Sequence, residues 1–130
     1  MNVIVVDTSA WIAYFSGQKP GRYDKDLDSA LKEGRVYLSP IVAAEILSGR
    51  NSSSQKDKLI DLLRELPLCD QSLEHWTRVG ELRAFCSSKG LAVSTPDAHI
   101  AQCSLDLDGY LMSEDTIFRR IHKIRTLRLL

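Results

Sequence analysis

Residues 3–6 are an unbroken Val-Ile-Val-Val run, followed at once by Asp7-Thr8-Ser9. Consecutive β-branched residues suit a strand covered on both faces, so the run predicts a central strand of a parallel sheet, with Asp7 emerging at its C-terminal edge. Val36-Tyr37-Leu38, Gly109-Tyr110-Leu111-Met112 and residues 124–130 read as further strands, with Leu68-Cys69 as a short edge candidate. Helical spacing fills the intervals. Residues 9–15 form a short helix with Thr8 or Ser9 as its cap, stopped by Gly17 and Pro20. Residues 23–33 carry Leu27, Ala30 and Leu31 on one face and end at Gly34. Ser39-Pro40 pairs a capping residue with a proline at the first helical position and opens a helix through Leu47, ending before Gly49. Residues 50–54 read as a polar loop and 56–65 as a helix that Pro67 ends. Ser72 caps a long helix through Leu73, Trp76, Val79, Leu82, Phe85 and Cys86 to Gly90. Thr95-Pro96 repeats the cap-plus-proline start ahead of residues 97–107, and Ser113 caps a short helix through Phe118. Strands alternating with helices in 130 residues predict one α/β domain over 1–130, a sandwich around a parallel sheet, without repeats or linkers.

Composition narrows this picture. A chain of 130 residues buries roughly two-thirds of the surface its unfolded form exposes and needs no covalent staple. Charged residues make up 26% and balance to zero, which excludes a global basic field, so any nucleic-acid contact rests on local patches. The longest apolar runs are a few residues and the start lacks a basic segment followed by a long apolar one. Neither a signal peptide nor a membrane span is expected, and the expected compartment is the cytoplasm. Cys69, Cys86 and Cys103 are odd in number and widely spaced, which argues against a disulfide framework or a zinc site and for small buried hydrophobes.

Four acids stand out. Asp7 reads either as a cap of the first helix or as a site residue at a sheet edge, where open α/β folds place their ligands. Asp97 and Asp115 both admit a bland reading as acids in a first helical turn. Glu45 is harder to place on a solvated face, because Ile41, Val42, Ala43, Ala44, Ile46 and Leu47 surround it and no Lys or Arg lies within one turn. A carboxylate in apolar surroundings needs a partner or a cation. If the first strand and 109–112 are neighbours, Asp7 and Asp115 leave one edge together; spacing alone does not bring Asp97 to them. Four converging carboxylates raise one another's pKa, and an all-oxygen set of this kind suits magnesium or manganese.

The ordered motifs Val5-Val6-Asp7-Thr8-Ser9-Ala10, Ser39-Pro40-Ile41-Val42-Ala43-Ala44-Glu45-Ile46, Thr95-Pro96-Asp97-Ala98-His99-Ile100-Ala101 and Leu111-Met112-Ser113-Glu114-Asp115-Thr116-Ile117-Phe118 resemble PIN-domain proteins. The resemblance covers essentially the whole chain and is strongest to the small single-domain VapC-type toxins of toxin–antitoxin pairs. It implies an α/β/α sandwich with a parallel sheet of four to five strands, in which Asp7, Glu45, Asp97 and Asp115 converge as catalytic and metal-binding acids. Ser9 and Ser113 would be hydroxyls orienting them or their waters. The implied activity is endoribonuclease cleavage by water activated on one or two Mg2+ or Mn2+ ions, with an RNA substrate, an inhibitory antitoxin and a homodimer as partners. Many relatives carry a further aspartate where this chain has Ile117. One tight metal, with a second completed by substrate phosphate, is therefore expected.

Metal-dependent hydrolysis needs no nucleophilic side chain, in keeping with His75, His99 and His122, which no motif ties together. His99 reads as solvated surface, with the cleft rim as its alternative. Five of the 17 basic residues and none of the 17 acids fall in 119–130, which reads as an RNA-binding segment through Arg119 and Arg120 or as a charged edge strand. Arg50 and Lys56 are further RNA-contact candidates; Trp11 and Tyr14 read as base-stacking residues or core, Trp76 as packing or a dimer face. Ile12, Phe15, Ile41 and Leu47 fit either a groove or the core. A PIN domain that binds RNA or protein without catalysis is the alternative reading, with Ile117 as its support. A phosphatase or phosphotransferase using Asp7 as nucleophile fits less well, since Ser9 stands where a second aspartate would be required.

Overall fold

The structure, a computed structural model, describes residues 2–16, 21–49 and 52–130. In chain order the elements are β1 (Ile4–Val6), α1 (Thr8–Phe15), α2 (Asp24–Lys32), β2 (Val36–Tyr37), α3 (Pro40–Leu47), α4 (Ser53–Arg64), α5 (Leu73–Ser88), α6 (Thr95–Asp106), β3 (Tyr110–Met112), α7 (Ile117–His122) and β4 (Arg128–Leu129). All four strands are parallel, in the order β2-β1-β3-β4, with helices packed around the sheet as an α/β/α sandwich.

β1 occupies the position that its sequence demands. Ile4, Val5 and Val6 are at most 4% exposed and pair with β2 on one side and β3 on the other, in the registers Ile4↔Val36 and Ile4↔Tyr110. Full burial of such a side chain contributes about 1.5–3 kcal/mol, and β-branched residues lose little freedom on a pleated surface. The β1–β3 ladder runs one step beyond the strands, where Asp7 N donates to Met112 O at 2.9 Å. At the other end of this pair, a Cβ on Gly109 would stand 2.7 Å from the Val3 carbonyl oxygen, the same oxygen that Tyr110 N reaches at 2.8 Å. Only glycine admits that approach.

Several expected boundaries move, each for a local reason. Ser53 and Ser54 belong to α4 rather than to a loop, because Ser52 forms a capping box with Gln55 and starts the helix earlier. α6 is capped by Ser94 rather than Thr95, through the bond from Asp97 N to Ser94 Oγ at 3.2 Å. Ser113 caps no helix, since α7 begins at Ile117 behind Thr116. Leu68 contributes only an isolated parallel bridge to Leu38, and the strand expected over 124–130 shrinks to Arg128–Leu129. The basic segment after 118 is therefore mostly helix and turn. Gly17 and Pro20, expected to stop α1, lie outside the described residues.

The core takes in Trp11, Phe118, Ile100, Leu111, Met112 and Ile121, together with all three cysteines as buried free thiols. Among the described residues no helix is long and apolar enough to cross a membrane.

Candidate metal centre

Asp7 stands at the N-cap position of α1 with the extended backbone of a cap, yet its side chain makes no capping bond. Two hydroxyls hold it instead. Ser9 Oγ and Ser113 Oγ donate to the same oxygen, Oδ2, at 3.1 and 2.8 Å, while accepting from Glu114 N and Asp115 N, both at 2.9 Å. Each hydroxyl thus spends its proton on Asp7 and its lone pair on the β3–α7 turn, so the 3.2 Å between the two serine oxygens is packing. Asp7 is 7% exposed, and its Oδ1 has no protein donor among the described residues. Ser9 and Ser113 thus both hydrogen-bond Asp7, and the Asp7 side chain does not cap α1.

The turn after β3 supplies Asp115, whose Oδ1 accepts from Ile117 N at 3.0 Å, and α6, packed on β1, supplies Asp97 from its first turn. Glu45 projects from α3 toward α1, where Thr8 Oγ1 donates to its Oε1 at 3.0 Å. Contrary to expectation Glu45 is exposed: α3 buries Val42 and Ile46, one turn apart, and the remaining apolar neighbours cover only part of the helix.

Electrostatics joins the four. The Asp97 carboxyl is pushed above the usual carboxylate range, first by burial and then by the negative charges of Asp115, Asp7 and Glu45, against the opposing bond from Ser94. Among the described residues none of the four acids has a lysine or arginine ion pair. Glu114, the neighbouring acid, faces Arg22 at 3.5 Å instead. Hard oxygen donors of this kind, held by neutral hydroxyls and backbone N–H groups and lacking a counter-charge, suit a divalent cation such as Mg2+ or Mn2+, although among the described residues no three of these carboxylates have oxygens within 4.8 Å of one another.

Other expected residues sort themselves around this centre. Arg119 lines a small cavity of about 30 Å³ together with Ser113 and Asp115, whereas Arg120 lies exposed further along α7. Lys56 is exposed on α4, and Arg50 lies outside the described residues. Trp11 is fully buried and stacks on Phe15 at 5.4 Å, so it does not meet a base. Tyr14 bonds Asp28, and with burial this raises its phenol to about 12. Ile117 is half-buried against the core.

The histidines depart most from expectation. His75 and His99 are 0% and 1% exposed and joined to each other, with His75 Nε2 and His99 Nδ1 2.7 Å apart. His99 Nε2 meets Ser39 Oγ at 2.8 Å, and His75 Nδ1 meets Asp106 Oδ2 at 2.6 Å. Arg78 and Gln102 clamp the far end of Asp106. Burial raises the Asp106 carboxyl, but these three sets of bonds outweigh it and leave it below the usual range. His99 falls to about 4, through burial and the neighbouring His75. Trp76 stacks on His99 at 4.6 Å, which is the packing role expected for it. A signal existed in the sequence: His75 shares a helical face with Val79, Leu82 and Cys86, and His99 sits between Ala98 and Ile100.

Cys103 completes a group whose ligand atoms lie within 4.8 Å of one another, but the geometry does not suit a metal. Its sulfur is 3.6 and 3.8 Å from the two nitrogens of His99, a near-equidistance that puts it over the ring instead of along either lone pair. Its thiol is also driven upward in pKa by the bond to Cys69 and by burial, and so stays protonated.

The PIN domain model matches residues 4–124, and the chain belongs to the PIN domain family. A relative, Ribonuclease VapC2 of Rickettsia felis, is 28% identical over 124 residues and covers 92% of each chain. Among solved structures, VapBC2 from Rickettsia felis bound to a DNA fragment from its promoter superposes with a TM-score of 0.76 at 26% identity, covering 98% of this chain and 97% of the other. DNA-bound VapBC from Salmonella typhimurium gives 0.75 at 19% identity over 100% and 98%, a likeness of fold.

Proposed function

We propose that this protein is a metal-dependent endoribonuclease and the toxin of a toxin–antitoxin pair. The observation that carries the reading is the buried Asp7 carboxylate, held by the hydroxyls of Ser9 and Ser113 and, like Glu45, Asp97 and Asp115, without a lysine or arginine ion pair among the described residues. Asp7, Glu45, Asp97 and Asp115 would hold Mg2+ or Mn2+. Bound there, the ion supplies the Lewis acidity and water activation that phosphodiester hydrolysis requires. The chain's own contribution is positioning. Ser9 and Ser113 restrain one oxygen of Asp7 and leave the other open, Thr8 orients Glu45, and the Ile117 backbone N–H fixes Asp115. Arg119, beside Asp115, is placed to meet a substrate phosphate; Lys56 and Arg120 are more distant candidates. Ile117 packs on the core where the family resemblance implies a further acid, and on that reading one ion binds tightly and a second is completed by substrate phosphate.

The antitoxin assignment rests on the VapBC relatives and on the surface of α1 and α4. Ile12 and Phe15 are 59% and 39% exposed, and Phe15 faces Leu59 and Leu62 across a groove of about 360 Å³. An amphipathic segment of a partner fits such a groove. A homodimer and a cytoplasmic location complete the proposal by family likeness.

The test is cleavage of RNA by purified protein with Mg2+ or Mn2+, beside Asp7→Asn and Asp97→Asn. Cleavage by the wild type alone is expected. Equal cleavage by all three proteins would sink the four-acid mechanism.

A further inference from the structure

We infer that the chain Ser39–His99–His75–Asp106, buried from Ser39 to His75, is a positioning device for the acid cluster, setting the spacing between the starts of α3 and α6, the helices that carry Glu45 and Asp97. The inference rests on the reading that those acids hold a divalent cation.

Ser39 occupies the N-cap position of α3, with extended backbone, yet its hydroxyl caps nothing and turns to His99 instead. His99 lies two residues after Asp97 in the opening turns of α6, so a 2.8 Å bond ties the two helix starts directly. The rest of the chain makes that bond directional. With both rings neutral, the Asp106 carboxylate accepts from His75 Nδ1–H, His75 Nε2 must then accept from His99 Nδ1–H, and His99 Nε2 accepts from the Ser39 hydroxyl. Arg78 and Gln102 hold Asp106 from outside, and Trp76 fixes the plane of His99 by stacking. Every nitrogen of the two rings is satisfied, so the network is rigid as well as buried.

A hydrophobic pair in the same volume would fill the core without needing partners. What it would not do is pin a residue of β2's end to a residue of α6 at a fixed distance. Coordination of Mg2+ or Mn2+ tolerates only small errors in oxygen placement, which is where such a pin acts. None of the four residues is placed to touch substrate or ion; they position Asp97 and Glu45.

Calorimetric titration of the full chain with Mn2+ tests the idea, with thermal unfolding of the metal-free protein in parallel. Removing an outer hydrogen-bond partner of a metal site commonly weakens affinity about 10–100-fold. Ser39→Ala is expected to weaken Mn2+ binding about tenfold, and Ser39→Thr, which keeps the hydroxyl, to restore it. Leu63→Ala, a core change on α4, is expected to lower the unfolding temperature without that loss of affinity. Should Ser39→Ala not fold, Asp106→Ala at the outer end of the chain takes its place, with the same expected direction. Wild-type affinity in Ser39→Ala and Asp106→Ala, or an equal loss in Leu63→Ala, overturns the inference, as does a wild type that binds no Mn2+. A wild type that binds Mn2+ tightly but cuts no RNA overturns the nuclease reading and leaves this one standing.

Discussion

The acid cluster and the histidine chain are two polar constellations that share the helices α3 and α6, and they satisfy their polar groups in opposite ways. In the histidine chain each donor meets an acceptor and the anionic end meets Arg78, so the network is complete with protein atoms alone. In the acid cluster neutral hydroxyls and backbone N–H groups orient four carboxylates without neutralising them. The first arrangement stabilises the fold; the second accepts electrostatic repulsion in the metal-free protein. Polarity alone therefore does not distinguish scaffold from site. The balance of charge does.

That contrast can be broken most directly at Asp7. Asp7→Asn is expected to reduce RNA cleavage at least about 100-fold, as loss of a group that acts on the developing charge does, with Asp97→Asn close behind. Turnover within threefold of wild type would remove Asp7 from the site. Next in size, His75→Ala opens a cavity and orphans His99 Nδ1, while Asp106 keeps Arg78 and Gln102; a loss of about 2–4 kcal/mol is expected in denaturant titration. A loss below 0.5 kcal/mol would show that the chain is not a scaffold.

pH separates the two regions by sign. Burial holds His99 down at about 4 in the folded protein against about 6.5 unfolded, so its contribution is intact above 6.5 and is lost as pH falls toward 4, by roughly 3 kcal/mol. Asp97 is raised, so the folded protein takes up its proton before the unfolded chain does, and its ionic penalty is relieved over the acidic range. Unfolding of metal-free His99→Gln against pH isolates the first effect: the fall between 6.5 and 4 is expected to flatten. The smallest effect is expected from Glu45→Gln in the metal-free protein, which keeps the acceptor for Thr8 and removes one like charge. Stability equal to wild type or up to about 1 kcal/mol higher is expected, and a clear loss would mark Glu45 as a structural group.

Much of this was legible in the chain because it is local. The Val-Ile-Val-Val run, Pro40 and Pro96 inside helix starts, and the ordered acids each announce themselves within a few residues. Convergence of Asp97 with Asp7 is not local. It depends on β3 pairing beside β1 and on α6 packing against β1, which no spacing in the sequence encodes. Glu45 differs from its sequence pattern for a related reason: a run of apolar residues reads as burial, whereas α3 buries only the Val42–Ile46 line. The histidine pair escaped because its members are 24 residues apart on different helices, and a buried imidazole looks in sequence like a solvated one.

The bond from Ser113 to Asp7 spans 106 residues of chain. Closing a loop of that size costs roughly 4 kcal/mol of chain entropy, which only the β1–β3 ladder beside it can offset. The contact between Asp7 and Ser113 consequently requires that β1 and β3 have paired. A chain still on the ribosome carries Asp7 for 106 residues before the Ser113 hydroxyl that holds it is made. The same topology that gathers four charges at one edge keeps the unfinished polypeptide from assembling them.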